Sequence, residues 1–348
     1  MQTYRLALIG FGNVGQGLAQ ILRDRGDELA QQFGARFVIV AVSDLLKGSV
    51  YDPQGLDPAR LLEAVQNGGD LKTLGEAQRD WDALQTITAS NADAVVEMSY
   101  TNLESGEPAC THIETALKHG KHVVTTNKGP IALQYARLAQ LAQAHGVEIG
   151  FEGTVMSGTP ALRLGMELLA AAGIRRVQGI FNGTTNYIIT QMSQGSDYAA
   201  ALAEAQSLGY ADADPTGDVE GFDAAGKVVI LASLLMGAQL TLQDVDRQGI
   251  TRLTPADIRS AQAAGEQWRL IGAVEKVDGR VRASVQPTRL PQGHPLAAIN
   301  GATNAITYST DLLGEVTLIG PGAGRIETGY ALIGDLLAIH RHIAAAKA

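Results

Sequence analysis

The chain has 348 residues, 45% of them hydrophobic, and a formal net charge of −9. That length accommodates two domains with substantial cores. The acid excess, with no stripe of Lys and Arg, excludes a nucleic-acid surface, which needs clustered cations to displace counterions from phosphates.

One cysteine, Cys110, rules out an intrachain disulfide and fits a reducing compartment. The chain opens without a leader pattern, and no apolar run nears the roughly 20 residues that span a bilayer. Cytoplasmic residence without membrane contact is the expectation.

Residues 5–9 read as a buried strand ending in Gly10-Phe11-Gly12-Asn13-Val14-Gly15, and helical periodicity follows over 17–29. Strand, glycine turn and helix in that order make a dinucleotide site. Gly10 permits the tight turn, Gly12 lets the backbone approach a pyrophosphate, Gly15 allows close helix packing, and the helix N-terminus faces the phosphates. A second apolar run, 37–42, closes on Ser43-Asp44, an acid placed to meet a ribose diol. Its distance from the glycines exceeds the usual ~20 residues, which implies a long first helix. Lys47 and Lys72 are nearby cations suited to a 2′-phosphate, so NAD and NADP both stay open.

Residues 48–90, with Pro53, Pro58, Gly68 and Gly69, read as a loop-rich insertion carrying short helices. Strands at 94–98 and 122–126 then alternate with helices at 110–119 and 135–145. This rhythm implies a doubly wound parallel sheet with ligands at the carboxyl ends of its strands. Two such ends stand out, Met98-Ser99-Tyr100-Thr101 and Thr125-Thr126-Asn127-Lys128-Gly129-Pro130. Lys128, just past a buried strand, is costly there unless it meets an anion or a polar ligand.

A strand at 147–151 leads into Glu152-Gly-Thr-Val155-Met-Ser157-Gly-Thr159-Pro160. Carbonyls and a carboxylate in such a turn suit a hard cation; composition alone favours helix capping by Ser157 or Thr159. After a strand at 176–181, Asn182-Gly183-Thr184-Thr185-Asn186-Tyr187 is another polar loop at a strand's exit, followed by a helix. Asp212, Asp214, Asp218, Glu220 and Asp223 then crowd five acids into twelve residues, which repel unless cations balance them. Asp223 and Lys227 lie four apart on a helix continuing through an apolar run to 235, so they share a face and wall a cleft.

Residues 266–276 and 280–286 alternate about Val277-Asp278-Gly279, the pattern of a β-hairpin. The open sheet it belongs to is expected to form a homodimer interface. After a strand at 315–319 and Gly320-Pro-Gly-Ala-Gly324, a last helix over 328–345 is expected to return to the cofactor domain. The seven histidines show no metal-ligand spacing. The expected organisation is a cofactor domain at 1–135, a substrate and dimerisation domain at 136–320, and a returning tail at 321–348.

In combination, Gly10-x-Gly12-x-x-Gly15, Thr126-Asn-Lys-Gly-Pro130, Asn182-Gly-Thr-Thr-Asn-Tyr-Ile188 and the stretch from Gly209 through Asp218 to Lys227 resemble the homoserine dehydrogenase family. Gly249-Ile-Thr-Arg-Leu-Thr254 and Gly320-Pro-Gly-Ala-Gly324 extend the match over nearly the whole chain. The resemblance implies a Rossmann-like α/β domain joined to an α+β domain. It also implies NAD(P)-dependent interconversion of L-aspartate 4-semialdehyde and L-homoserine, towards threonine and methionine.

By the same resemblance Lys227 is the proton donor, Asp218 its active-site neighbour, and Lys128 lies between nicotinamide and substrate. The loop position of Gly183, Thr184 and Thr185 makes them candidate donors to the carboxylate of that substrate. Ser99 and Gly324 match cofactor contacts, and Glu152, Val155, Ser157 and Thr159 match a sodium site, which displaces the capping reading. Asp212 stands where the family usually carries a glutamate for the substrate amino group, a loss of one methylene of reach. Two alternatives are a related dehydrogenase of another amino-acid-like aldehyde or imine, and a cofactor-binding sensor without catalysis. The Asp-x4-Asp-x3-Lys order argues against the first, and the presence of Lys128, Asp218, Asp223 and Lys227 against the second.

Overall fold

In the computed structural model, which describes residues 1–74 and 78–347, strand β1 (Gln2–Ile9) sends alternate side chains to two cores. Leu6 and Leu8 join Leu18, Phe37, Leu332 and Leu336. Ala7 and Ile9 face the other way, with Val95, Ile113, Val123 and Leu138. A strand buried on both faces reads as a continuous apolar run, as this one does.

Around β1 stand β2 (Ala35–Asp44), β3 (Gly48–Tyr51), β4 (Gln78–Arg79), β5 (Ala94–Glu97), β6 (His122–Thr125) and β7 (Ile149–Gly150). Their order is β4-β3-β2-β1-β5-β6-β7. β2, β1, β5, β6 and β7 run parallel, while β3 and β4 extend the β2 edge antiparallel. Those two strands correct the loop-and-helix reading of the insertion, which also holds the helices Pro58–Ala64 and Ala83–Ala89. Residues 75–77 of that stretch lie outside the described residues.

The first helix, Asn13–Phe33, is 21 residues long, which accounts for the wide spacing between the glycines and Asp44. The last helix, Arg325–Lys347, packs along it at a glycine contact. A Cβ on Gly17 would come within 2.0 Å of the Arg325 carbonyl oxygen, and one on Gly329 within 2.7 Å of the Leu18 nitrogen.

The chain divides into Met1–Gly158 with Gly324–Ala348, and Thr159–Ala323. This differs from a boundary at 135, for two reasons. The helix Lys128–His145 runs unbroken through that point, and β7 pairs with β6.

The second unit holds β8 (Ile174–Ile180), β9 (Val245–Arg247), β10 (Glu266–Val277), β11 (Arg280–Pro291), β12 (Thr303–Thr310) and β13 (Gly314–Pro321). They form one sheet in the order β13-β12-β8-β10-β11-β9. β10 and β11 make the hairpin, Val277 facing Arg280. Asp278 and Gly279 both have positive φ, as the tightest hairpin turn demands. β12, which sequence periodicity did not single out, lies between β8 and β13. Ile180, Ile271, Leu290, Leu296 and Ala305 form a core cluster of this unit. The helix Phe222–Met236 lies across β10 and β11.

Candidate active site

In the first unit a cavity of about 870 Å³ opens at the carboxyl ends of β1, β2 and β5, lined by Gly10, Gly12, Asp44, Lys47, Met98 and Ser99 among others. A Cβ on Gly10, whose φ is +95°, would sit 2.6 Å from the Met98 carbonyl oxygen, so the turn is closed there. A Cβ on Gly12 would meet nothing within 4 Å. One glycine is needed by the fold, and the other leaves open space at a helix N-terminus. That arrangement fits a pyrophosphate approaching the backbone.

Asp44 lines this cavity at the end of β2, and its carboxylate is occupied from behind. Oδ2 accepts from the Phe11 N–H at 2.7 Å, and Oδ1 accepts from the Leu46 and Lys47 N–H groups at 3.0 and 2.9 Å. Burial works against its ionisation, but the three N–H donors and the nearby Lys47 ammonium outweigh that and hold the carboxyl below its usual range. Lys72 also lines the cavity, so the acid and both cations of the sequence reading meet at one wall.

Asn127 caps the helix Lys128–His145 by accepting from the Gly129 N–H, and its Nδ2 donates to the Ser99 and Tyr100 carbonyls, both at 3.1 Å. Lys128 is therefore the first helical residue rather than part of a loop. A cation at a helix N-terminus stands against the macrodipole.

In the second unit the acid cluster resolves into a network. Lys227, 7% exposed on the helix Phe222–Met236, donates to the Phe181 carbonyl at 2.6 Å and to Asp223 Oδ2 at 2.8 Å. Asn182 Nδ2 bridges Asp218 Oδ1 at 2.6 Å and Asp223 Oδ2 at 3.1 Å. Asn182 Oδ1 caps the helix Gly183–Ser193 through the Thr185 N–H at 2.9 Å. Burial raises the Asp218 carboxyl above its usual range and the Asp223 charge adds to this; the Asn182 bond and the Lys227 charge act the other way.

Asp212 is not brought into this network. Its side chain is exposed, and its backbone carbonyl accepts from Gln206 Nε2 at 3.0 Å. Asn182, quoted in the sequence reading at the head of a motif but given no role there, is the residue that ties the network together. An Asx residue directly after a strand and before a helix was the available signal.

Of the turn residues assigned to a cation, Glu152 is buried and its N–H donates to Asp335 Oδ2 at 2.9 Å. Val155 is buried in the short helix Gly153–Met156. Ser157 has φ +53° and pairs its hydroxyl with that of Thr328 at 2.8 Å. Thr159 donates to the Pro321 carbonyl at 2.9 Å. Gly324 is exposed at the start of the returning segment, with φ +134°.

A family model described as homoserine dehydrogenase matches residues 160–337, and one described as homoserine dehydrogenase, NAD binding domain, matches residues 10–152. An NAD(+)-dependent homoserine dehydrogenase of Pseudomonas canavaninivorans is 46% identical, covering 98% of this chain and 97% of that protein. A homoserine dehydrogenase of Methanocaldococcus jannaschii is 41% identical, covering 96% and 98%. Among solved structures, a putative homoserine dehydrogenase from Archaeoglobus fulgidus superposes with TM-score 0.86 at 36% identity over 97% of this chain and 99% of that one. A hyperthermophilic archaeal homoserine dehydrogenase mutant in complex with NADPH gives 0.84 at 31% identity over 98% of each.

Proposed function

The chain belongs to the homoserine dehydrogenase family, and on that premise we propose that Lys227 is the acid that protonates the carbonyl oxygen of the substrate. The enzyme is an NAD(P)-dependent oxidoreductase. A bound nicotinamide cofactor supplies the hydride that reduces the aldehyde carbon of L-aspartate 4-semialdehyde. Charge then builds on the aldehyde oxygen, where a fixed ammonium first stabilises and then protonates it.

One observation carries this reading. Two of the three ammonium hydrogens of Lys227 are held by Phe181 and Asp223, which leaves one N–H to aim at a reacting oxygen. Asp218, with Asp212, takes the substrate ammonium. The N-terminus of the 11-residue helix Gly183–Ser193, with Thr184 and Thr185, takes the substrate carboxylate. Lys128 serves nicotinamide and substrate.

The ionised Asp44 at the ribose position and the name of the Pseudomonas relative support NAD over NADP. A sodium ion is assigned to Glu152, Val155, Ser157 and Thr159, mainly through backbone oxygens. Among the described residues no group of three or more His, Cys, Asp or Glu is placed to hold a metal, so carbonyl ligation is the route open to it. The homodimer reading draws support from the edge strand β13, where Ile319 is 54% exposed. The buried free thiol of Cys110 accords with a cytoplasmic enzyme, and the product suits threonine and methionine synthesis.

The test is oxidation of NADH and NADPH followed with L-aspartate 4-semialdehyde. Turnover with both, faster with NADH, is the expected result. No turnover with either would remove the reading.

A further inference from the structure

Glu97 ends β5 with 0% exposure, and it enters neither the glycine turn nor the lysine network. A buried carboxylate is costly unless donors surround it. Its Oε1 accepts from the Ser99 N–H at 3.1 Å and from the Ser99 hydroxyl, and stands 3.3 Å from His112 Nδ1. Its Oε2 lies 3.4 Å from the Thr125 hydroxyl oxygen. The helices Ala109–Lys118 and Lys128–His145 both begin at this end of the sheet, where their dipoles favour a negative charge.

The bonds close into a ring. Thr125 Oγ1 donates to the Glu97 carbonyl at 2.9 Å and accepts from the Asn127 N–H at 3.0 Å. Asn127 Nδ2 then returns to the Ser99 and Tyr100 carbonyls. The exit leading to Ser99 and Tyr100 is thus held by the Glu97 carboxylate, the exit leading to Asn127 and Lys128 is held through Thr125 chiefly by the Glu97 carbonyl, and Asn127 ties the two together. Ser99, Tyr100 and His112 line the cavity of the first unit.

We propose that Glu97 is a positioning residue for the cofactor: it sets the conformation of both strand exits and so preorganises the nicotinamide dinucleotide site without touching the substrate. The proposal rests on the dehydrogenase reading above. A buried polar ring of this kind is rigid when every member is satisfied and loses that rigidity when one acceptor is removed.

The test reads binding rather than turnover. NADH affinity is measured by nucleotide fluorescence without amino-acid substrate, alongside the substrate KM at saturating NADH and the melting temperature. Glu97→Met, which keeps the length of the side chain and removes both acceptors, is expected to raise the NADH Kd about tenfold, or ~1.4 kcal/mol, with the substrate KM within about twofold. Glu97→Gln keeps an acceptor for the Ser99 N–H and is expected to recover most of that loss. Thr125→Val removes the acceptor of the Asn127 N–H but leaves the Ser99 bonds to the carboxylate and the Asn127 side-chain bonds in place, so its effect is smaller.

A folded Glu97→Met that binds NADH like the wild type overturns the proposal, as does a parallel rise in NADH Kd and substrate KM. If Glu97→Met does not fold, wild-type NADH affinity in both Glu97→Gln and Thr125→Val overturns it. Failure of the wild type to bind either nicotinamide cofactor would instead remove the dehydrogenase reading.

Discussion

Lys227 donates to the backbone carbonyl of Phe181 at 2.6 Å, so the candidate acid is fixed by the residue that follows β8 and not by a side chain alone. Asp223, one turn earlier on the same helix, fixes it from a second direction. Lys227→Met is expected to lower kcat by roughly 10²–10⁴, the usual contribution of a positioned acid, with NADH affinity unchanged. Retention of kcat within about tenfold would withdraw the role.

Asp218 is expected to trade stability for binding. Its carboxyl is raised by burial first and by the Asp223 charge second. Since its folded value lies above the unfolded one, the unfolded chain loses this proton first. Stability therefore falls as pH rises from the ordinary aspartate range through the raised value, and the cost persists at neutral pH. Asp218→Asn should melt higher than the wild type at pH 7 and bind the amino-acid substrate more weakly. In the wild type, the substrate KM should begin to climb with falling pH sooner than an ordinary aspartate would cause. A lower melting point for Asp218→Asn at pH 7 would contradict this account.

Much of this was legible because the motifs are local. The glycine turn, Asp44 at the end of β2, and the four-residue spacing of Asp223 and Lys227 all follow from one strand or one helix. What escaped was set by distant pairing. Asn182 joins Asp218 and Asp223 across about 40 residues of chain, and β4 is two residues long, too short for any periodicity. The domain boundary moved because β7, also two residues long, is recruited by β6. Glu97 went unremarked within the strand at 94–98, since its partners Ser99, His112 and Thr125 come from three separate segments.

The two glycines of the turn should separate fold from function. Gly12→Ala places its Cβ in space empty of protein, at an ordinary negative φ. It should leave the melting temperature nearly unchanged and weaken NADH binding. Gly10→Ala forces a side chain into φ +95° against the Met98 carbonyl, at a cost of roughly 1–3 kcal/mol in stability. Calorimetry with and without NADH checks both; equal loss of stability in the two variants would refute the division.

Asp44 has the opposite sign to Asp218. Its carboxyl is held low despite burial, because the Phe11, Leu46 and Lys47 N–H groups bind the charged form. The resulting stability is present above the unfolded value and fades as pH falls through the lower folded one, that is, below about pH 4. Asp44→Ala should melt lower at neutral pH and show a smaller further loss on acidification. The NADH over NADPH preference in kcat/KM should also fall.

Asp212→Glu tests the shorter acid in the exposed loop. The added methylene should lower the substrate KM with little change in kcat; a higher KM would mean that the pocket is built for aspartate.

The glycine contact between the first and last helices also bears on how the protein is made. The helix Arg325–Lys347 leaves the ribosome only after all of Thr159–Ala323 has been synthesised, so the unit that begins first is completed last. Until then Leu18 and Leu22 lack the apolar side chains of Leu332 and Leu336 that join their cluster. In a nascent chain stalled before residue 325, the apolar face of the first helix beside its glycine turn therefore lacks the partner that covers it in the finished protein.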